Sequence, residues 1–267
     1  MLAIVLSRRD FRENDQIISL YTKEHGKLEL LARGVKKIIS KQSAHLEPFS
    51  VVFITVEQGK EIDHLIKTQP VEYFSGIRND LNKSMAAGYL VSVTNTLIQT
   101  KEIDKRIFET LFGWLKFVEK SEQFRPLLVD GYIITVLSHL GFTPILDECV
   151  ICEKTFHTMA SEELSGKEKR PPGFYFASGG LICPACRVQK EVVGEQIFDC
   201  GLKEVSGLQV LLKGDWRLID GFKFQETEQK IIHRLVYEFA VYHSEKQLHD
   251  WGRVIIGMNG TVRESIC

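Results

Sequence analysis

The amino-acid sequence predicts an α+β protein in which a small N-terminal β-barrel is followed by an α-helical domain that carries a four-cysteine insert. Residues 1–80 contain short runs of branched residues, separated by glycine and proline, with no helical period between them. From residue 81 onward, apolar residues recur at helical spacing. This pattern is interrupted between residues 145 and 195, where two Cys-x-x-Cys pairs occur.

Five short strands are predicted in the first 80 residues. Gly26, Gly34, Pro48 and Gly59 separate them, as turn residues do in compact β structures. Five strands in about 75 residues is the size of an OB-type barrel, and we predict this fold for residues 1–80. The predicted strands are Leu2–Leu6, Gln16–Tyr21, Leu28–Ala32, Val51–Val56 and His64–Ile66.

Four apolar stripes predict the long helices of the second domain, and we expect their aromatic side chains to lie in the core. The stripes run from Met85 to Ile98, from Ile107 to Val118, from Val129 to Leu140 and from Ile231 to Tyr242. Gly141 and Pro144 are typical of a helix end, and they follow the third stripe. The predicted domains are the barrel 1–80, a first helical part 81–144, the cysteine insert 145–195, a second helical part 196–250 and an irregular tail 251–267.

The composition of the chain is that of a soluble globular protein. Its 267 residues suffice for one large or two modest domains, and no apolar run approaches the roughly 20 residues that span a bilayer. The apolar run at the N-terminus is also too short for a signal peptide, so we expect a cytoplasmic protein without a membrane partner. A net charge of −1 argues against a protein that coats DNA through its total charge. This net charge does not exclude a local basic face. The stretch from Arg33 to His45 holds four lysine and arginine residues and no acid.

The two cysteine pairs, Cys149-x-x-Cys152 and Cys183-x-x-Cys186, are separated by 30 residues. Two such knuckles can place four thiolates around one Zn²⁺ ion, and this predicts a zinc finger in the insert. Four thiolates leave no open position for water, so the metal would be structural. A redox-active pair, a disulfide and an iron–sulfur cluster are the alternatives, and two paired motifs favour zinc over them. Cys200 and Cys267 have no partner at ligand spacing and are interpreted as ordinary thiols.

Motifs of several enzyme classes are missing from the sequence, and we therefore predict a protein that is not an enzyme. There is no phosphate-binding GxxxxGK[ST] loop, no GxGxxG after a strand, no HExxH and no GxSxG. A zinc deaminase needs His-x-Glu followed by Pro-Cys-x-x-Cys, but here Ile182 precedes Cys183. The His45-Leu46-Glu47 sequence lies in a different predicted domain from both cysteine pairs.

Three segments of the predicted barrel and the residues before both cysteine pairs form a sequence pattern that is typical of one protein family. The barrel segments are RDFRENDQIISLYTKEHGK at residues 9–27, ARGVKK at residues 32–37 and LEPF at residues 46–49. Leu140-Gly141-Phe142 precedes the first pair, and Gly179-Gly180 precedes the second. In order and spacing these segments resemble the zinc-bearing members of the RecO family of recombination mediators, and the domain order fits this family over nearly the whole chain.

The resemblance implies an OB barrel that binds single- and double-stranded DNA, in a protein that anneals complementary strands during DNA repair. It also implies a RecR-type partner, with which the protein loads recombinase onto strands coated by single-strand-binding protein, in the nucleoid. Carried over to this chain, the DNA-binding residues are Arg33, Lys36, Lys37 and Lys41. Basic side chains on a barrel loop would neutralise phosphates and release counterions, which makes binding sensitive to salt and independent of sequence.

Aromatic side chains of the barrel can stack on bases. Tyr21, Phe49 and Phe53 are the candidates, but a small barrel needs aromatic core residues, so burial is favoured over stacking for each. The alternative function is a zinc-bearing adaptor that binds only proteins. The slightly acidic net charge favours the adaptor, and the acid-free stretch from Arg33 to His45 disfavours it.

Overall fold

The computed structural model describes residues 1–36, 43–164, 170–244 and 246–252. The chain divides into two compact units, Met1–Pro126 with His249–Cys267, and Leu127–Leu248. No helix within the described ranges is long and apolar enough to cross a bilayer.

Five strands of the first unit form a closed barrel in the order β1-β2-β3-β5-β4. Strand β1 pairs antiparallel with β2 and β4, which closes the barrel, and β5 runs parallel to β3. This is the strand order of an OB-type barrel, and the predicted fold class is confirmed. The strands are β1 (Leu2–Asp10), β2 (Gln16–Thr22), β3 (Gly26–Ala32), β4 (Val51–Glu57) and β5 (His64–Glu72).

The barrel core follows from the alternation of side chains along each strand. Ala3 and Val5 of β1, Ile18 and Leu20 of β2, and Leu30 of β3 point into one buried cluster. The intervening residues of β1 are buried as well, because helix α2 (Leu81–Leu97) packs against the outside of this strand. The first part of β1, residues 2–6, is therefore a continuous apolar run.

Two long helices follow the barrel within the first unit, after a short helix α1 (Ser75–Arg78). Asp80 caps α2 and Asp104 caps α3 (Lys105–Lys120), each accepting a hydrogen bond from a backbone N–H of the first turn. The apolar stripe of α3 is buried, as predicted, with Trp114 among its fully buried side chains.

The second unit is built around helix α4 (Leu127–His139), which is buried along almost its whole length. The described part of this unit also holds α5 (Phe156–Leu164), α6 (Pro184–Val192), α7 (Leu202–Leu211), α8 (Trp216–Gly221) and α9 (Glu226–Ser244). A small sheet of β6 (Gly173–Tyr175), β7 (Gly180–Ile182) and β8 (Phe198–Asp199) lies in the cysteine insert. Phe174 of β6 packs edge-on against Phe239 of α9, with 5.7 Å between the ring centroids, so the insert shares a core with the helices.

Pro184, inside the second cysteine pair, begins helix α6, because proline is favoured in the first turn of a helix. One local expectation was wrong. Tyr242 is 53% exposed rather than core, since it stands beside the buried stripe of α9. The predicted domain boundaries stay predictions, and of the predicted tail only Trp251 and Gly252 lie in the described ranges. Trp251 is buried beside Tyr89 of α2, with ring centroids 5.6 Å apart.

Candidate nucleic-acid interface and metal centre

Two of the four predicted DNA-binding residues lie in the described part of the β3–β4 loop. Arg33 is exposed, and one of its terminal nitrogens lies 3.4 Å from Nε2 of His64. Lys36 is also exposed, but its ammonium forms an ion pair with the Asp10 carboxylate at 2.8 Å. Within the described residues Arg33 has no carboxylate partner, whereas the charge of Lys36 is offset by that of Asp10. Lys37 and Lys41 lie outside the described residues.

The β1–β2 loop is fastened to this basic loop by two hydrogen bonds from backbone N–H groups of the basic loop. The N–H of Gly34 donates to the Asp15 carboxylate at 2.8 Å, and the N–H of Lys36 donates to the carbonyl of Asn14 at 3.2 Å. Gly34 adopts a φ of 64°, a left-handed conformation that glycine tolerates without strain. Between the two loops is an open cleft of about 410 Å³, lined by Arg12, Glu13, Asn14, Asp15, Arg33 and Gly34.

The three aromatic candidates for base stacking lie in different environments. Tyr21 is fully buried, and its hydroxyl donates to the Asp104 carbonyl at 3.0 Å. Phe49 is buried beneath the guanidinium of Arg78, which lies 4.1 Å from the ring centroid. Both therefore follow the expectation of burial. Phe53 is instead 50% exposed. It lies between the inward-facing Val52 and Ile54 of β4, so strand alternation could have predicted its exposure.

One exposed aromatic residue near the basic loop was missed. Phe11 follows directly after β1 and is 46% exposed. In the sequence it stands between charged residues, and nothing in its spacing distinguishes it from a buried loop residue.

The four predicted metal ligands come together in the second unit. Cys149 and Cys152 lie in the loop before α5, Cys183 caps the N-terminus of α6, and Cys186 lies in its first turn. All four sulfur atoms lie within 4.8 Å of one another, and those of Cys152 and Cys183 are 3.6 Å apart. Tetrahedral zinc thiolates have sulfur atoms about 3.8 Å apart, so the group has the size of such a site. Three of the cysteines are buried, and Cys152 is exposed.

Backbone hydrogen bonds shape the electrostatics of this cluster. Burial opposes ionisation of Cys149, but N–H groups of Cys183, Cys152 and Ile151 outweigh burial and lower the pKa of Cys149 to about 7. The N–H of Cys183 lies 3.3 Å from the Cys149 sulfur. For Cys183 and Cys186 burial dominates and raises the pKa. Four thiols in such a setting favour a bound cation, because a divalent metal would compensate the thiolate charges that burial opposes.

Cys200 stands apart from this cluster. It is buried, and burial raises its pKa to about 12, so it is a neutral core thiol. Cys267 lies outside the described residues.

A wider cleft of about 830 Å³ lies elsewhere in the second unit. Arg234 of α9 lies over the Phe198 ring at 5.5 Å. Four aromatic residues line the cleft, Tyr175, Phe176, Phe198 and Tyr242. Its charged lining is mixed, with Lys230 and Arg234 facing Glu195, Asp199 and Glu238.

Comparison with known proteins covers both units. Residues 1–74 match the family model described as "Recombination protein O N terminal", and residues 78–252 match "Recombination protein O C terminal". The chain is 27% identical to the DNA repair protein RecO of Bifidobacterium adolescentis, over 92% of this chain and 94% of that protein. It is 25% identical to the RecO proteins of Thermoanaerobacter (91% of each chain) and Desulfitobacterium hafniense (99% of this chain and 93% of that protein). The family models together span both the barrel and the segment that holds the four cysteines, and the chain therefore belongs to the RecO family.

Proposed function

We propose that this chain is a recombination mediator that binds single- and double-stranded DNA and anneals complementary strands without covalent chemistry. Membership of the RecO family supports a role in DNA repair and recombination. The observation that carries the DNA-binding part is the exposed Arg33, whose charge no described carboxylate neutralises, on the loop between β3 and β4. An annealing protein needs such charge to hold two polyanions close together, while base pairing supplies the free energy.

The experiment that tests this proposal is annealing of two complementary labelled oligonucleotides across a salt series. The protein is expected to accelerate annealing at low salt, and the acceleration is expected to fade as salt rises. Replacement of Arg33, Lys36 and Lys37 by alanine should abolish the acceleration. Replacement of three exposed basic residues of the second unit, Lys213, Arg217 and Lys223, removes the same charge and should change little. No acceleration by the unaltered protein at low salt would overturn the proposal.

We further propose that Cys149, Cys152, Cys183 and Cys186 bind one structural Zn²⁺ ion, which organises the insert 145–195. Closely placed thiols with N–H donors to sulfur suit zinc, and four protein ligands leave no position for a reacting water. Metal analysis of the purified protein should give about one zinc per chain. A fully folded protein that contains no zinc would contradict this part of the proposal.

The remaining partners rest on family membership. We propose that the chain acts in the cytoplasm at the nucleoid, where a RecR-type protein and single-strand-binding protein are its partners in loading recombinase. The test is annealing of strands coated with single-strand-binding protein, with and without the RecR-type protein of the same organism. Failure of the two proteins to co-elute would count against the RecR-type partner.

A second candidate function, the zinc-bearing adaptor that binds only proteins, is supported by one observation. The cleft lined by Phe176, Phe198 and Tyr242 is large, partly apolar and open, as peptide-binding clefts are. If the chain neither binds nor anneals DNA, while alteration of Tyr242 prevents binding of a partner protein, the adaptor is the better account.

A further inference from the structure

Phe11 is an exposed apolar side chain close to the candidate DNA surface. It lies in the β1–β2 loop with 46% of its surface in water, and the guanidinium of Arg12 lies 5.1 Å from its ring centroid. A single exposed phenylalanine needs no ligand as its explanation. What distinguishes Phe11 is its neighbourhood, because the loop that carries it lines the cleft that Arg33 also lines.

The backbone of this loop is tied into a tight turn. The N–H groups of Phe11 and Arg12 both donate to the carbonyl of Asp15, at 3.1 and 3.4 Å, and the N–H of Asp15 donates back to the carbonyl of Arg12 at 3.3 Å. The Asp15 carboxylate is also engaged, since it accepts from Gly34 of the basic loop. The aromatic ring is thus presented on a fastened backbone, which lowers the entropy that binding would cost.

The charges around the Phe11 ring indicate which class of ligand would bind there. Within the described residues neither Arg12 nor Arg33 has a carboxylate partner, whereas the nearby Arg8 and Lys36 are paired with Glu47 and Asp10 at 2.8 Å each. An exposed aromatic ring with one guanidinium over it, and a second guanidinium at the cleft that its loop lines, suits a ligand that offers both a flat ring and a phosphate. A single-stranded nucleic acid offers both in every nucleotide. In a duplex the bases are stacked on each other and are not available to a side chain.

We propose that Phe11 stacks on a base of single-stranded DNA while Arg12 and Arg33 hold the flanking phosphates, so that this loop pair distinguishes single strands from duplex. The inference rests on the proposed DNA binding and deepens it. It assigns the strand preference to one aromatic side chain, and it leaves binding of duplex to the basic residues alone.

The experiment compares two variants of matched exposure. Phe11→Ala is tested beside Tyr73→Ala, whose ring is 52% exposed and also lies beneath a guanidinium, that of Arg78, 4.2 Å from the ring centroid. Tyr73 directly follows Glu72, which pairs with Val51, and Val51 pairs with Ile4 near the start of β1, whereas Phe11 follows the opposite end of that strand. Affinities for an oligothymidylate and for a duplex of the same length are measured with the full-length, zinc-replete protein by fluorescence anisotropy. A third variant, Phe11→Trp, reports stacking directly through quenching of its fluorescence, measured as the difference from the unaltered protein.

Phe11→Ala is expected to weaken binding of the single strand roughly fivefold to hundredfold, and to change duplex binding less than twofold. Tyr73→Ala should leave both affinities unchanged, and oligothymidylate should quench the fluorescence of Phe11→Trp. If Phe11→Ala binds the single strand as tightly as the unaltered protein does, or if Phe11→Trp is not quenched, the stacking role is wrong while DNA binding stands. If the unaltered protein binds neither DNA, the proposed function fails, and the stacking role fails with it.

Discussion

The side-chain ammonium of Lys27 lies 3.0 Å from the carbonyl oxygen of Ile98, across 71 positions of the chain. The same group donates to the carbonyl of Asn95, so one barrel lysine satisfies two carbonyls at the C-terminal end of helix α2. Lys27 is only 8% exposed, and burial lowers its pKa. In this position a cation also interacts favourably with the negative end of the helix dipole. The contact couples the barrel to the helix that covers it.

Replacement of Lys27 by methionine should destabilise the first unit by about 1–3 kcal/mol, because two buried carbonyls lose their donor while the packing of the stem is kept. Urea unfolding monitored by circular dichroism measures this loss. Lys23→Met is the control, since Lys23 is partly exposed and pairs with Glu109 at the surface, where an ion pair contributes little to stability. Equal unfolding midpoints for the two variants would show that Lys27 is not a capping residue.

Gly26 marks a second close contact of the barrel. It adopts a φ of 64°, and a Cβ placed on it would lie 1.9 Å from the backbone carbonyl oxygen of Glu102. Gly26→Ala should therefore cost several kcal/mol, whereas alanine at an unstrained glycine position stabilises a protein by roughly 0.4–1 kcal/mol. Gly88→Ala is the matched control. Gly88 lies inside α2 with open space around it, and alanine there should stabilise the protein by up to about 1 kcal/mol. Thermal unfolding distinguishes the two, and a mild effect of Gly26→Ala would contradict the close approach.

Much of this fold follows from local pattern. The five barrel strands and the four long helices were predictable because apolar alternation and helical periodicity are properties of contiguous sequence. The cysteine cluster was predictable because each knuckle holds its two thiols close by geometry. Helices α5, α6, α7 and α8 were not predicted, since helices of six to ten residues are too short for a clear apolar stripe.

The chemistry of the candidate DNA surface was less predictable, since it depends on contacts between distant residues. The ion pair of Lys36 with Asp10 joins positions 26 apart, and it makes two basic residues of one loop, Arg33 and Lys36, electrostatically different. The exposure of Phe11 depends on how its loop is fastened to Gly34. No spacing rule gives either result, because both require the closed barrel.

The environment of His243 predicts how the stability of the second unit changes at acidic pH. Its ring packs among those of Phe142, Phe239 and Tyr242, at centroid distances of 5.0, 4.3 and 5.1 Å. Burial lowers the pKa of His243 below its usual value of 6.5. The unfolded chain then binds a proton more readily than the folded one, so this contribution to stability is complete above about pH 6.5 and declines as the pH falls below that value.

His243→Phe should keep the ring packing and remove this acid-sensitive contribution. The free energy of unfolding, measured between about pH 7.5 and pH 5, should fall less steeply in the variant than in the unaltered protein. The replaced ring nitrogen Nε2 is buried without a hydrogen-bond partner among the described residues, so its loss should not create a new unsatisfied group. Parallel pH profiles would show that His243 does not titrate differently in the folded state.

Retention of the proposed zinc should depend on pH near neutrality, whereas an exposed carboxylate site would depend on pH only in a more acidic range. The pKa of Cys149 is about 7 and burial raises the pKa of Cys183, so protons compete with the metal for these sulfur atoms near neutrality. Lowering the pH from about 8 to about 6 should therefore speed the transfer of zinc to a coloured chelator. Cys152→Ser should lose the metal, while Cys200→Ser, which alters a buried thiol outside the cluster, should retain it. Retention by both variants would rule out the four-thiolate site.

The ion pair between Lys36 and Asp10 predicts unequal effects of the basic residues on DNA affinity. Arg33→Ala removes a charge with no described carboxylate partner, so it should weaken DNA binding at low salt and reduce the slope of log affinity against log salt by about 1. Lys36→Ala should do less, because Asp10 already neutralises part of that charge at 2.8 Å. Asp10→Asn should strengthen binding, since it releases Lys36 and removes a negative charge from the same surface.

Anisotropy titrations of the three variants at several salt concentrations give all three slopes. If Asp10→Asn weakens binding, or if Lys36→Ala costs as much as Arg33→Ala, the ion pair does not control the charge that this loop offers to DNA.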